Sequence, residues 1–189
     1  PPQTETCNRR APEMTRAEKV IAGLKAHYGR VEPALDFRDV YQLTIAVVLS
    51  AQTTDRQVNL VTPALFARYP DFSALAAAAL HEVETIIHST GFYHTKARNI
   101  IALAVMVRDD FGGQLPATME ELTRLPGVGR KSANVILSHG FNIPGLAVDT
   151  HVTRVAGRLG LTASTNPERI EKDLCAALPA EIWGEAHLL

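Results

Sequence analysis

The sequence predicts an all-α fold. Helix-capping residues precede apolar runs at several points, beginning with Thr15, which has Glu18 three positions later in the pattern of a capping box. Asp39 precedes the nearly continuous apolar run YQLTIAVVLSA. No segment shows the apolar–polar alternation, bounded by tight turns, that indicates paired strands. We therefore expect about ten helices joined by short links.

The N-terminal third divides into a tail, a surface helix and a buried helix. Residues 1–12 are polar, contain three prolines and predict a disordered tail. The capping box opens an amphipathic helix to about Tyr28, which Gly29 ends, and residues 30–38 are irregular. The helix after Asp39 is apolar on most sides, so we expect it to be central and buried.

In the rest of the chain, capping residues predict where helices start, and glycine or proline residues predict where they break. Thr54 and Asp55 restart a helix to about Tyr69, and Pro63 predicts a kink or break within it. Ser73 is the expected cap of the alanine-rich turn that follows. Residues 89–97 (STGFYHTKA) predict a loop. The other predicted helices are 81–88, 95–110, 118–124, 130–139, 150–159, 167–178 and one that begins near Ala180.

Composition places the chain among ordinary intracellular globular proteins. Hydrophobic residues are 46% and charged residues 21%, and no apolar run is long enough to cross a bilayer. No secretion signal is evident at the start, so a cytoplasmic or nucleoid location in a bacterial-like cell is expected. Cys7 and Cys175 could be bridged, although nothing demands it, and two thiols cannot complete a four-cysteine metal site. The net charge is −1, so any contact with DNA must come from local cations and backbone N–H groups.

The run LPGVG at 125–129 is the clearest candidate for binding an anion. Glycine permits a positive φ and a close approach of other atoms. The N–H groups of Gly127, Gly129 and the next helical turn would converge on one point outside the chain. A DNA phosphate suits such a site. The alternative is a tight helix–helix turn that supports the fold and binds nothing.

Lys131 and Asp149 are the candidates for covalent chemistry. An attacking amine must be neutral, and both a helix N-terminus and burial disfavour the ammonium form of Lys131. The alternative is a solvated surface lysine. Asp149 is a favoured N-cap for the next helix, and beside Lys131 it could also accept a proton, although an anion there opposes the effect of the helix end.

Other polar residues carry weaker signals. Gln52 follows the buried second helix and could present a polar tip to a cleft, or simply end the helix. His151 and His187 have no partners at metal-ligand spacing, so packing or surface roles are expected.

Four segments together resemble the endonuclease III family of DNA glycosylases and abasic-site (AP) lyases, in the helix–hairpin–helix superfamily. They occur in the family's order and at similar spacing: LSAQTTD at 49–55, TGFYHTKARNI at 90–100, LPGVGRKSANVIL at 125–137 and AVDTHVTRV at 147–155.

The resemblance implies two lobes with a cleft between them. One is a six-helix barrel over 33–143 that contains the helix–hairpin–helix motif at about 118–139. The other is built from both termini, 13–32 and 144–189. The family carries a 4Fe-4S cluster. Residues 1–189 encode no ligand set for it, so the cluster is expected only if the natural chain continues past Leu189.

The resemblance also implies removal of oxidised or ring-saturated pyrimidines from double-stranded DNA, followed by β-elimination at the abasic site. Lys131 would attack C1′ and Asp149 would assist. Gln52 would fill the vacated space and Phe92 would wedge between bases, where the family usually has an aliphatic residue. The DNA-contacting positions implied are Gln52, Phe92, Leu125, Pro126, Gly127, Val128, Gly129, Arg130 and His151.

Two alternatives compete with this interpretation. One is a non-catalytic helix–hairpin–helix DNA-binding module, against which the presence of both Lys131 and Asp149 argues. The other is a monofunctional, adenine-excising relative, which would lack a lysine at 131. We expect a monomer that acts on DNA and does not bind membranes.

Overall fold

A computed structural model describes residues 14–189, and its regular structure within that range is helical throughout. The predicted tail at 1–12 lies outside the described residues, as does Cys7. The α-helices are α1 (Arg16–Tyr28), α2 (Val40–Leu49), α3 (Asp55–Arg68), α4 (Phe72–Ala76), α5 (Leu80–Ile87), α6 (Tyr93–Asp110), α7 (Met119–Leu122), α8 (Arg130–Val135), α9 (Thr150–Arg158), α10 (Pro167–Ala177) and α11 (Trp183–Ala186). Short 3₁₀ turns cover His88–Thr90 and Ala180–Ile182, and a π-helical turn covers Ile136–Gly140. None of the helices between residues 14 and 189 has the length and apolar character needed to span a bilayer.

The predicted starts of the first helices are confirmed. Thr15 accepts from the Glu18 N–H at 3.1 Å, and the Thr15 N–H donates to Glu18 Oε2 at 2.6 Å, which completes the capping box. Gly29 ends α1 with φ +73°. Asp39 caps α2 by accepting from the Gln42 N–H at 2.8 Å, and seven consecutive residues of α2, 43–49, are buried. Local capping chemistry and apolar periodicity are therefore enough to place these elements.

One predicted break and one predicted cap are wrong. Pro63 lies inside α3, which continues from Asp55 to Arg68. Its ring is on the exposed side, while Thr62 and Leu65 are buried, so packing of the inner face outweighs the lost backbone bond. Ser73 is not the cap of α4. Asp71 caps this helix, and its Oδ1 accepts from the Ala74 N–H at 2.8 Å.

Two boundaries also differ from the prediction. The expected loop at 89–97 is shorter, because α6 begins at Tyr93 and Lys96, Ala97 and Ile100 continue its buried face. The helix expected over 130–139 changes to π-helical bonding at Ile136.

Two separate apolar cores organise the described chain. The larger, here called the barrel core, draws on α2 to α8 and includes Ile45, Leu65, Ile100, Leu122 and Ile136, all fully buried. The smaller, here called the terminal core, joins α1 to α9 and α10 through Ala17, Ile21, Leu146, Val148, Ala156, Ile170, Leu174 and Leu178. The predicted two-lobed, all-α architecture is confirmed. The lobe boundaries at 33 and 143 stay a prediction.

An ion pair connects the two lobes beside the hairpin. The guanidinium of Arg130, at the start of α8, donates to both carboxylate oxygens of Glu171 on α10, at 2.8 and 2.7 Å. A paired guanidinium and carboxylate of this geometry fixes orientation as well as distance. The start of α8 is thus held against the terminal lobe.

Candidate active site

A cleft of about 390 Å³ lies where the two lobes meet. Lys131 and Asp149 both line it, the first from α8 and the second from the N-terminus of α9. Ser50, Asp55, His139 and His187 contribute further polar groups to the walls. The fold therefore brings together the two residues that sequence analysis selected for chemistry, from elements that belong to different cores.

The hairpin before Lys131 is held by its apolar side chains. Leu125 and Val128 are 2% and 5% exposed and belong to the barrel core. The Val128 N–H donates to the Leu125 carbonyl at 3.1 Å and closes the turn. Any contact of these two positions with DNA would therefore use the backbone, while Pro126 is half-buried.

The two glycines of the hairpin have different roles. Gly127 has φ +81°, and a Cβ built there would lie 2.9 Å from Cγ1 of Val48 and 3.3 Å from Asn99. Gly129 has φ −93° and open space where a Cβ would be. Gly127 is required by both conformation and packing, whereas Gly129 leaves the start of α8 open.

The N-terminus of α8 faces outward without a protein cap. Within residues 14–189, no side chain accepts a hydrogen bond from its first turn, so these N–H groups are available to an external anion. Arg130 is already paired with Glu171, and the hydrogen bond to Glu171 raises the pKa of Arg130. The positive charge of Arg130 is therefore partly neutralised by Glu171 and is less available to a DNA phosphate.

Lys131 is exposed at the cleft and also lines a neighbouring hollow of about 330 Å³ with Asn166 and Glu171. The burial that sequence analysis expected for this side chain is absent, because α8 presents its first turn to solvent. Its side chain is therefore accessible from the cleft.

Asp149 uses one oxygen to cap α9. Its Oδ1 accepts from the N–H groups of His151 and Val152 at 2.9 and 2.8 Å. Within the described residues, Oδ2 accepts no hydrogen bond. The capping interpretation and the chemical one are therefore compatible, since each can use a different oxygen.

His151 contributes its backbone N–H to this cap, and its ring contacts Arg154. Nδ1 lies 3.0 Å from Nη2 of Arg154, and the side chain lines a separate apolar pocket of about 180 Å³. The implied contact of His151 with DNA stays a prediction.

His139 and His187 were not selected by sequence analysis as site residues, yet both lie in the cleft wall. Their ring centroids are 5.3 Å apart, and His139 Nε2 and His187 Nδ1 have no hydrogen-bond partner among the described residues. Burial, followed by the neighbouring His139, lowers the pKa of His187 to about 4, and burial lowers the pKa of His139. Both rings are neutral near pH 7. No sequence signal marks them, because α11 returns to the cleft only in three dimensions.

Gln52 and Phe92 occupy two exposed turns of the barrel lobe. Both have left-handed backbones, with φ +52° and +48°, and Phe92 is 71% exposed. Such conformations are unfavourable for residues with a Cβ and concentrate at functional positions. An exposed phenylalanine held in this way is suited to contacting a flat apolar partner.

The described residues offer no ligand set for a metal or an iron–sulfur cluster. No group of three or more His, Cys, Asp or Glu side chains between residues 14 and 189 is arranged to hold an ion. A 4Fe-4S cluster needs four thiolates. Within the same range the one cysteine is Cys175, and burial raises the pKa of its thiol to about 11, which disfavours the thiolate.

Comparison with known proteins identifies close relatives of the whole arrangement. Residues 45–180 match the sequence model of the HhH-GPD superfamily of base excision DNA repair proteins. Endonuclease III from Synechocystis is 49% identical over 174 residues, which cover 92% of this chain and 80% of the relative.

Two solved structures share the fold. A non-covalent endonuclease III–DNA complex superimposes with a TM-score of 0.87 at 40% identity, covering 93% of this chain and 84% of the other. A trapped covalent endonuclease III–DNA intermediate gives a TM-score of 0.86 at 40% identity over the same shares.

The hairpin geometry predicts that Gly127→Ala is destabilising and Gly129→Ala is tolerated. A methyl at 127 must overlap Val48 and take an unfavourable φ, so we expect a loss of about 1–3 kcal/mol in the free energy of unfolding. At 129 we expect a change within about 1 kcal/mol. Urea unfolding followed by far-UV circular dichroism measures both. Equal losses at the two positions would contradict the distinction.

The neutral histidines predict acid sensitivity. Because the folded pKa of His187 is below its unfolded value, the unfolded state binds more protons between pH 6.5 and about 4. Stability is therefore fully present above pH 6.5 and falls as the pH drops toward 4, by up to about 3 kcal/mol for this group. Fluorescence of Trp183, the only tryptophan, can follow urea unfolding across this range. His187→Gln should reduce the slope of stability against pH, and an unchanged slope would be evidence against a buried neutral His187.

Proposed function

This chain belongs to the endonuclease III family within the HhH-GPD superfamily of base excision DNA repair proteins, and we propose that it excises oxidised or ring-saturated pyrimidines and then cleaves the abasic strand. It is an enzyme of DNA repair. The observation that carries the proposed chemistry is that Lys131 and Asp149, from different lobes, line one cleft. That cleft opens beside an uncapped helix N-terminus suited to a phosphate.

Binding starts from the backbone rather than from net charge. The chain has a net charge of −1, so a general electrostatic attraction to DNA is not available. The free N–H groups at the start of α8 would hold one phosphate without reading a base. Because Lys131 lies in the same helical turn, this contact would also set its distance from the sugar.

The target nucleotide must leave the stack before the cleft can reach it. Extrusion costs a few kcal/mol, and the cost is smallest for weakened pairs. Phe92 would stack against the bases beside the gap, and Gln52 would occupy the space left by the extruded base. Their exposed turns with positive φ support this assignment, since such conformations are unfavourable for residues with a Cβ and concentrate at functional positions.

The neutral amine of Lys131 then attacks C1′ of the sugar. The new C1′–N bond forms as the bond from C1′ to the base breaks, and the base leaves with the electron pair and takes up a proton. The attacking nitrogen loses a proton, and its electron pair forms the C1′=N bond of an imine as the bond from C1′ to O4′ breaks. O4′ keeps the electron pair of that bond and takes up a proton, which opens the sugar ring. Asp149 Oδ2, which has no internal partner in the described chain, is the group we assign to accept the proton that the nitrogen loses.

Strand cleavage follows from the imine. It acidifies C2′, and a base removes a proton there. The electron pair forms the C2′–C3′ double bond, and the bond from C3′ to its oxygen breaks to release the 3′ phosphate. Water then hydrolyses the imine and restores Lys131. A hydroxyl nucleophile could not provide this electron sink, so a lysine here supports a lyase as well as a glycosylase.

Lys131→Gln is expected to abolish covalent trapping. Borohydride reduces an imine to a stable amine, so the native protein should form an adduct with abasic-site DNA, visible as a slower band on a denaturing gel. The variant keeps a polar side chain of similar length and has no amine. Lys172→Gln, at an exposed position on α10, is the matched control and should trap as well as the native protein. Trapping that survives the change at 131 would assign the nucleophile elsewhere.

Asp149→Asn is expected to separate capping from catalysis. Asparagine is as good an N-cap as aspartate, so the free energy of unfolding should change by less than about 0.5 kcal/mol. Loss of the proton acceptor should slow turnover by roughly a hundredfold. Single-turnover rates on abasic duplex, with binding to a non-cleavable tetrahydrofuran site, measure the two effects. Unchanged turnover would show that Asp149 only caps α9.

A further inference from the structure

A buried ammonium group lies between the turn that carries Gln52 and the turn that carries Phe92. Lys96, on the first turns of α6, is 5% exposed. Its Nζ donates to Thr53 Oγ1 at 2.5 Å and to the Thr90 carbonyl at 2.9 Å. Thr53 Oγ1 also donates to the Thr90 carbonyl at 2.5 Å. Three hydrogen bonds therefore close a ring around one cation.

The two acceptors lie beside the two strained residues. Thr53 directly follows Gln52, and Thr90 is separated from Phe92 only by Gly91, which itself has φ +65°. The bond from Gln57 Nε2 to Ser89 Oγ, at 2.7 Å, is a second, exposed link between the same segments. The buried cation is thus placed where it can fix the position of one turn relative to the other.

Local stability does not account for a lysine at this position. Among the described residues no carboxylate pairs with Lys96, and burial lowers its pKa. A cation near the start of α6 is also unfavourable for the helix. An apolar side chain of the same shape would avoid the cost of removing a charge from water. A residue kept against local stability is expected to serve function.

We propose that Lys96 is a positioning residue that ties the two turns together, so that Gln52 and Phe92 are presented to the duplex as one rigid unit. This inference rests on the proposed function, in which both side chains enter DNA. Lys96 touches neither the nucleotide nor the reacting atoms. It holds the two inserting side chains in a fixed relative position before DNA binds. The two turns therefore do not have to become ordered while the target nucleotide is extruded.

The expected signature is a loss that depends on base pairing. In duplex DNA the sugar reaches the cleft only after its nucleotide is extruded, which requires both turns. In a single strand there is no stack of paired bases to open, so the placement of the turns has little influence. Lys96→Met keeps the shape of the side chain and removes the N–H groups.

The experiment compares single-turnover cleavage and borohydride trapping on one abasic oligonucleotide, used as duplex and as single strand. For Lys96→Met we expect the duplex rate to fall roughly tenfold to a hundredfold. The single-strand rate should stay within about twofold of the native rate. Thermal unfolding should be unchanged or shifted to higher temperature, since a buried charge is removed.

Companion variants test the ring of hydrogen bonds itself. Thr53→Val removes the shared hydroxyl and should reproduce the duplex-selective loss, while Thr53→Ser keeps the hydroxyl and should restore the native rate. Thr44→Val removes a different fully buried hydroxyl, one that bonds only within α2, and should leave both rates unchanged. Lys96→Met should lower the duplex cleavage rate less in the Phe92→Ala variant than in the native protein, because both changes disable the same unit.

Two results would overturn the inference. One is a native duplex rate in Lys96→Met. The other is an equal fall on duplex and single strand, which would indicate a general loss of folded protein. Failure of the proposed function is distinguishable from both, because the native protein would then form no borohydride adduct with either substrate.

Discussion

The packing of Gly127 against α2 and α6 is the constraint from which the site is built. With no Cβ, the turn approaches Val48 and Asn99 closely enough to fix where α8 begins. That starting point sets both the direction of the free N–H groups and the position of Lys131, one residue into the helix after Arg130. The uncapped start of α8 and Lys131, which we propose as phosphate site and nucleophile, are therefore both placed by a single backbone turn.

The cleft itself depends on how the two lobes are joined. Each lobe has its own apolar core, and polar groups stand among apolar side chains where the two meet: the Arg130–Glu171 pair, the cap at Asp149 and the neutral imidazoles of His139 and His187. Polar groups at such a junction keep water and charge available to a substrate, while the cores supply rigidity on either side. The cleft is thus lined by polar and apolar side chains together, on elements that belong to both cores.

Local signals in the sequence were sufficient for most of the fold and for the centre of the site. The caps at Thr15 and Asp39 could be recognised from a few neighbouring residues. The motif around Lys131 was likewise sufficient to select a residue that lines the cleft with Asp149. Where prediction failed, the deciding contact was distant or collective. Pro63 is tolerated because both halves of α3 pack on the barrel core. The burial of Lys96 was missed because its partners, at 53 and 90, become its neighbours only after folding.

The capping bonds of Asp149 Oδ1, together with the proton-accepting role that we propose for Oδ2, also bear on how this scaffold can evolve. One atom stabilises α9, so drift at this position is limited to side chains that still accept from the backbone, whatever happens to activity. A descendant that abandoned chemistry and survived as a DNA-binding module would therefore carry asparagine, serine or threonine there. Such a lineage would be recognisable from the residue at position 149 alone, because its hairpin and the packing of its lobes would be unchanged.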